Sequence, residues 1–243
     1  MKKILAFSIL AVFLTTPTVS PGYAQSINRI LKKMIDAQGG RKTFESIKDV
    51  TMVGGVEMPQ QGISGTITIY KKEPDKRRLE LDTMGMVIIQ VYDGQRAVWT
   101  NPQSGDIEEM NEQQAASMIR QSLPITAFID PEKHGITITY KGKETVDGKE
   151  CFVLEQVFKD GYRTLRYVDS DTYFSVKSKS TLRGPGGSEI QIEQVMSDYR
   201  KIDGMTMAYS VTTYYNGAVF NEIRFKEIKF NTGLEDSLFQ LKK

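Results

Sequence analysis

The chain has few of the residues from which catalytic and metal sites are usually built. Its 243 residues include one cysteine, Cys151, and one histidine, His134. A single cysteine excludes a disulfide within the chain. Because Cys151 stands among strand-forming residues with no base beside it, we expect a buried core thiol. His134 lies in the loop sequence DPEKHG without a pattern of further ligands, so we expect neither a metal site nor a triad.

Other signatures of enzymes are missing too. No glycine-rich phosphate loop opens a helix, and no Gly-x-Ser-x-Gly turn occurs. Asp169 and Asp171, in the sequence YVDSDT, are interpreted as turn-forming acids in preference to calcium ligands. We therefore expect a protein that is not an enzyme, with no catalytic residues, no metal and no cofactor.

Long apolar runs are scarce, and the one present stands at the start. Residues 4–14 are apolar apart from Ser8, follow Lys2 and Lys3, and precede the small residues around Ala24. This three-part pattern predicts a secretory signal peptide over residues 1–24, and the run is too short to cross a hydrocarbon core of about 30 Å. The remainder, residues 25–243, is expected to form a single exported, soluble domain. It has no cysteine near the cleavage site to carry a lipid anchor.

An excess of charge of either sign is absent as well. The formal net charge is +2, and loss of Lys2 and Lys3 with the leader brings it to 0. A neutral chain gives no electrostatic reason to expect nucleic acid as a partner.

What the sequence does contain is a repeated turn signal. Asp-Gly pairs begin at positions 93, 147, 160 and 203, and an Asn-Gly pair begins at 216. Both dipeptides favour two-residue hairpin turns because each position needs a positive φ. The long intervals between them predict about eleven to twelve strands in a large curled antiparallel sheet that forms an unclosed barrel.

Two helices interrupt this β pattern, so the fold class is mainly β with a few helices. The first is expected to begin at the cap Ser26 and to end at Gly39-Gly40, with a short helical turn following over residues 41–47. The second begins at Asn111, and Gln114 completes a capping box. Helices are expected to cover the concave apolar face of the sheet, and Phe239 to anchor the C-terminal tail. Periodicity leaves open whether that hollow is filled by side chains or accepts a ligand.

The candidate lining of the hollow comes from four segments. The stretch MVIIQVYDG is apolar at consecutive positions, so both of its faces must be covered. Methionines, which suit surfaces that accept variable apolar ligands, occur along the chain, Met205 and Met207 among them. The residues predicted to form the wall and lid of an apolar trough are Val87, Ile89, Val91, Trp99, Met118, Ile119, Phe152 and Leu154.

In its motifs the chain resembles the LolA/LolB-like superfamily of periplasmic carriers, in the outer membrane lipoprotein-sorting protein branch. The matching segments extend over nearly all of the mature chain and are DAQGG, FESIKDVTMVGGVEM, KEPDKRRLEL, VYDGQRAVW, TVDGKECFVL, YVDSDTYFSVKSKS and SDYRKIDGMTMAYSV.

The resemblance implies an unclosed β-barrel that shields acyl chains and performs no covalent chemistry. It implies a monomeric carrier in the periplasm, not lipid-anchored, with lipid or acylated lipoprotein as cargo. Partners would be an inner-membrane donor and an outer-membrane acceptor, and not nucleic acid. An alternative is an envelope sensor or assembly module that uses the same fold to bind a protein partner.

Overall fold

The computed structural model describes residues 21–184 and 187–241, with the backbone alone for residues 21–26. Residues 1–20 of the predicted leader lie outside this part, so its removal stays a prediction. The described residues contain three α-helices, α1 (Pro21–Ala37), α2 (Arg41–Ser46) and α3 (Glu112–Ser122). They also contain thirteen strands: β1 (Asp49–Met58), β2 (Ile63–Lys72), β3 (Lys76–Thr83), β4 (Met86–Tyr92), β5 (Ala97–Thr100), β6 (Ile107–Glu109), β7 (Thr137–Val146), β8 (Lys149–Val157), β9 (Arg163–Asp169), β10 (Ser175–Arg183), β11 (Glu189–Ile202), β12 (Met205–Tyr215) and β13 (Ala218–Phe230).

All strands of the described residues belong to one antiparallel sheet in the order β6-β5-β4-β3-β2-β1-β13-β12-β11-β10-β9-β8-β7. Strands that are consecutive in the chain pair with each other, except that α3 carries the chain from β6 at one edge to β7 at the other. β1 and β13 join the two halves of the sheet. The sheet is not closed, which confirms the predicted fold class. The three-residue strand β6 was not predicted from the sequence.

Three of the five predicted hairpin turns have the expected geometry. Asp147, Asp203 and Asn216 have φ values of 48, 48 and 49°, and the glycine after each also has a positive φ. Each pair forms the two-residue connection between adjacent strands, as the mirror-image turn requires. At the remaining two pairs only Gly94 and Gly161 have positive φ, and longer loops join the strands.

The leading helix α1 packs its apolar side into the hollow of the sheet. Ile30 and Met34 are buried against β8 and β9, and Ile35 is buried against β1, β12 and β13. The prediction that Ser26 caps this helix is wrong, because the helix begins at Pro21. Proline suits a first helical turn, where its missing N–H is not needed. The next helix, α2, buries Phe44 as expected.

The internal helix α3 has the predicted capping box. Asn111 Oδ1 accepts a hydrogen bond from Gln114 N at 3.0 Å, and Gln114 Oε1 accepts one from Asn111 N at 3.1 Å. Both contacts satisfy N–H groups that a helix start leaves unpaired.

The sheet curls around α3. This helix contacts β3, β4 and β5, and its Arg120 forms an ion pair with Asp160 in the β8–β9 turn. Gln113 Nε2 donates to the carbonyl oxygen of Arg183 in β10 at 2.7 Å. Because β3–β5 and β8–β10 belong to opposite halves of the sheet, one helix can contact both only if the sheet bends towards itself. We call the face that packs against α1–α3 the concave face.

The convex face of β3–β5 is covered by the C-terminal tail. Phe239, in the short 3-10 helix Asp236–Phe239, is fully buried against Val91 and Val98. This confirms the predicted anchor. The later part of the doubly apolar strand β4 is therefore covered by α3 on one side and by the tail on the other, whereas Met86 and Val87 at its start are half-exposed and lack the predicted cover.

The isolated polar candidates of the sequence have structural roles. Cys151 is 0% exposed and packs with Val153 and Tyr167 on the convex side, and burial raises the pKa of its thiol. Asp169 forms the predicted turn, because its Oδ1 accepts a hydrogen bond from the backbone N–H of Asp171 at 2.9 Å. His134 ends the 3-10 helix Pro131–His134 and is half-buried, not in an exposed loop.

Within residues 21–184 and 187–241, the α-helices are either too short or too polar to traverse a lipid bilayer.

Candidate functional site

The predicted lining residues do not share one face, and half of them lie on the concave side. Phe152 and Leu154, on β8, pack against α1. Trp99, on β5, pairs with Gln90 of β4 on the side that faces α3, and Met118 of α3 is buried there. These four side chains lie on the concave side, and their role as wall of a binding trough stays a prediction.

The remaining four placements are corrected by the structure. Val87, Ile89 and Val91 point to the convex face, where Ile89 and Val91 pack near the tail residue Phe239 and Val87 is exposed. Successive side chains on a strand point to opposite faces, and a strand that is apolar on both faces does not reveal which one faces the hollow. Ile119 is 43% exposed on α3, turned away from its buried neighbour Met118.

An apolar cavity of about 310 Å³ lies between α1 and the concave face, and we call it the α1 cavity. The helix side contributes Leu31, Met34 and Ile35. The sheet side contributes apolar residues of four strands, namely Met52, Met196, Met207, Val211 and Phe225. Several of these are only partly buried, so the concave face retains apolar surface that no side chain of the described residues covers.

A second cavity of about 270 Å³ lies between α3 and the strands β4, β5 and β10–β12. Trp99, Leu182 and Tyr215 line it together with glutamines such as Gln90 and Gln113. Two wider clefts, of about 690 and 700 Å³, are lined largely by charged and polar side chains. Among these spaces the α1 cavity is the one with a predominantly hydrocarbon lining.

One cation lies in the wall of the α1 cavity. Arg166 Nε donates to Gln156 Oε1 at 3.1 Å, and Nη1 donates to Ser175 Oγ at 2.9 Å. Its guanidinium carbon lies 4.9 Å from the centre of the Phe128 ring. Burial lowers the pKa of Arg166, and the one titratable neighbour that opposes this shift is Tyr199, a phenol that is uncharged at neutral pH because burial raises its own pKa to about 12.

The lid segment, defined as α3 with the turn to Ile125, is held by the β2–β3 hairpin. Lys71 Nζ donates to the carbonyl oxygen of Leu123 at 2.8 Å. Glu73 Oε1 accepts from Ile125 N at 2.9 Å. Arg77 Nη1 lies 3.3 Å from the sulfur of Met118. The hairpin thus fixes the end of the helix that crosses the hollow.

Residues 27–184 and 187–241 hold no group of three or more His, Cys, Asp or Glu side chains arranged to bind a metal ion.

Three solved structures have this architecture. A DUF1329 family protein from Desulfovibrio piger aligns over 88% of this chain and 97% of its own, with 14% identity and a TM-score of 0.60. A LolA superfamily protein from Nitrosomonas europaea aligns over 90% and 98%, with 13% identity and a TM-score of 0.61. A domain described as an outer membrane lipoprotein-sorting protein, from Vibrio parahaemolyticus, aligns over 87% and 94%, with 14% identity and a TM-score of 0.58. This chain has a LolA-like fold.

Neither a protein-family model nor a curated protein sequence matches the chain. At identities of 13 and 14%, the likeness to these structures is one of fold.

The cavity lining of this LolA-like fold comes largely from residues that sequence reasoning did not select. β11, β12 and β13 alternate in the ordinary antiparallel way, and nothing in that pattern marks Met196, Val211 or Phe225 as uncovered. The methionines were the available signal, since Met207 lines the α1 cavity while Met205 is buried beside it.

The lid contact of Lys71 predicts an unusual pH dependence of stability. Although Lys71 is only partly buried as a residue, burial of its ammonium group and the nearby Arg77 lower its pKa to about 8. Above that pH the folded chain has lost a proton that the unfolded chain keeps up to its ordinary pKa of about 10.5. The free energy of unfolding should therefore rise by about 1–2 kcal/mol between pH 8 and pH 9.5 relative to Lys71→Met.

Urea unfolding of both proteins across this range measures the difference. Ionisation of Cys151 contributes equally to the pH dependence of the free energy of unfolding of both proteins and cancels in their difference. Lys72→Met serves as the control because the neighbouring lysine forms an ion pair with Asp236 in the tail. A pH-independent difference between wild type and Lys71→Met would show that the ammonium group is not desolvated.

Proposed function

We propose that this protein is a periplasmic carrier that holds acyl chains of a lipid or lipoprotein in the α1 cavity and delivers them towards the outer membrane. The observation that carries the proposal is the uncovered apolar surface between α1 and the concave face. A folded protein has no structural need for such a space, because interiors are otherwise packed to crystal-like density. The described residues offer binding surface without an arrangement of nucleophile and base, so the proposed function involves no covalent chemistry.

The energetics favour such a ligand. Each methylene group moved from water to an apolar site contributes about 0.8 kcal/mol. Burying even eight methylenes would contribute roughly 6 kcal/mol before ordering costs. An apolar cavity therefore binds an alkyl chain without a specific polar contact.

Export and partners are part of the proposal. The predicted signal peptide over residues 1–24 supports transport out of the cytoplasm, and the remaining residues 25–243 would act as one soluble domain. An inner-membrane donor and an outer-membrane acceptor are the proposed partners, because a shielded acyl chain must be loaded and released at membranes.

The first test is lipid analysis of the protein expressed with its own leader in a bacterial envelope. After gentle purification, native mass spectrometry should find about one bound lipid or acylated polypeptide per chain, and denaturing spectra should identify its class. An empty protein that also takes up no added lipid would refute the carrier function.

One surface feature favours the alternative, a module that binds a protein partner. The β3–β4 hairpin ends in Met84, which is 86% exposed, followed by the half-exposed Met86 and Val87. Exposed apolar patches often mark interaction sites. If the purified protein contains no lipid and this hairpin is needed for activity in the envelope, the protein-binding module is favoured over the carrier.

A further inference from the structure

The α1 cavity contains a cation that the described residues leave without a counter-charge. Arg166 lies in the wall of this cavity, whose lining also includes Met34, Met196 and Phe225. No carboxylate among residues 27–184 and 187–241 forms an ion pair with it, and both of its side-chain partners, Gln156 and Ser175, are neutral. A charge in such surroundings reduces stability unless something else compensates it.

The guanidinium, which lines the cavity, also has N–H donors without a partner among the described residues. An arginine side chain has five N–H donors, and in this chain one from Nε and one from Nη1 are used. Nη2 donates to no atom of the described residues. A carboxylate or phosphate could accept two parallel hydrogen bonds from the free side of such a guanidinium.

The other buried arginine of the hollow differs in this respect. Among the described residues, Arg77 likewise forms no ion pair with a carboxylate. It contacts the sulfur of Met118, and it is not part of the lining of the α1 cavity. Burial lowers its pKa to about 10. Arg77 therefore belongs to the contact between the β2–β3 hairpin and the lid segment, whereas Arg166 combines a free guanidinium edge with apolar space beside it.

We propose that the α1 cavity binds a single-chain amphiphile with an anionic headgroup, whose carboxylate or phosphate oxygens accept hydrogen bonds from Arg166. The alkyl chain lies against Met34, Met196, Met207 and Val211. At about 310 Å³, the cavity is near the lower limit of typical ligand pockets, which favours one chain over several. This inference rests on the proposed carrier function and adds the headgroup chemistry and its position.

The test compares three ligands that share an oleoyl chain and differ in headgroup, each below its micellar concentration. Oleate carries a carboxylate, oleoyl lysophosphatidic acid carries a phosphate, and monoolein is neutral. Their affinities are measured by displacement of a fluorescent fatty acid and by calorimetry. The variants are Arg166→Met, which removes the charge, and Arg166→Lys, which keeps it. The matched control is Arg163→Met, on the same strand but exposed and paired with Glu155.

Wild type should bind at least one anionic ligand roughly ten- to a hundredfold more tightly than monoolein, and Arg166→Met should abolish that preference while leaving monoolein binding within about threefold. Arg166→Lys should keep part of the preference, and Arg163→Met all of it. The stronger of the two anions identifies the headgroup as carboxylate or phosphate.

Two results would overturn the inference, and they are distinguishable. If all three ligands bind wild type with equal affinity, or if Arg166→Met lowers the three affinities by the same factor, the headgroup assignment is wrong. The carrier function would then still stand. If none of the three binds, the carrier function fails together with it. The wild-type comparison of charged and neutral ligands holds even if Arg166→Met does not fold.

Discussion

Replacing Val211 by tryptophan is expected to reduce lipid binding by roughly fiftyfold. Val211 lies on the concave face and lines the α1 cavity between α1 and the sheet. An indole ring there would occupy space proposed for the alkyl chain. If it excludes about three methylenes, the loss is about 2.4 kcal/mol at 0.8 kcal/mol for each. Titration with a fluorescent fatty acid measures the change.

The matched control is Val195→Trp on the neighbouring strand. Val195 pairs with Thr212, so its side chain points to the convex face, away from the cavity. This variant should bind lipid as wild type does, and circular dichroism should show both variants folded. Equal binding by Val211→Trp and wild type would place the acyl chain elsewhere, and the second cavity, between α3 and the strands β4, β5 and β10–β12, would be the next candidate.

Replacing Asp49 by alanine is expected to lower the free energy of unfolding by about 3 kcal/mol. Asp49, 4% exposed at the start of β1, accepts four hydrogen bonds from the start of the C-terminal tail. The donors are Thr232 N at 2.7 Å, Thr232 Oγ1 and Gly233 N at 2.9 Å, and Leu234 N at 3.4 Å. Without the carboxylate these donors lose their partner. Thermal unfolding should show a decrease in Tm of about 6–12 °C.

The stabilisation that the ionised Asp49 carboxylate gives to the fold should be lost in acid. Burial alone would raise the pKa of Asp49, but the hydrogen bonds from Thr232, Gly233 and Leu234 outweigh it and lower the pKa below its ordinary value of 3.8. A carboxyl group with a lowered pKa stabilises the fold above its unfolded pKa, and that contribution is lost as the pH falls through the folded pKa. The difference in stability between wild type and Asp49→Ala should therefore narrow as the pH falls below 3.8, through the lowered pKa of the folded state.

Asp82→Ala provides the reference, since Asp82 is exposed on β3 and its loss should change stability by less than about 0.5 kcal/mol. If Asp49→Ala is as stable as wild type at pH 7, the carboxylate does not hold the tail. The tail would then be held by its other contacts, among them buried Phe239 and the ion pair of Asp236 with Lys72.

Local signals in the sequence predicted the elements whose physics is local. The capping box at Asn111 and Gln114 and the turns at Asp147, Asp203 and Asn216 depend on contacts within a few residues, and they are as predicted. The start of α1 was missed because Ser26 is a good cap in isolation, whereas the helix extends back to Pro21. β6 was missed because a three-residue strand carries too few side chains to show a period.

The sequence by itself determined the fold class, the hairpin positions, the apolar character of both faces of β4 and the core role of Cys151. Each follows from backbone preferences or from alternation along one strand. Only the tertiary structure decided which face of β4 meets α3, that Val87, Ile89 and Val91 lie away from the hollow, and that Arg166 stands in an apolar wall. Those facts depend on how distant strands curl around a helix, and the period of a single strand is the same whichever of its faces becomes concave.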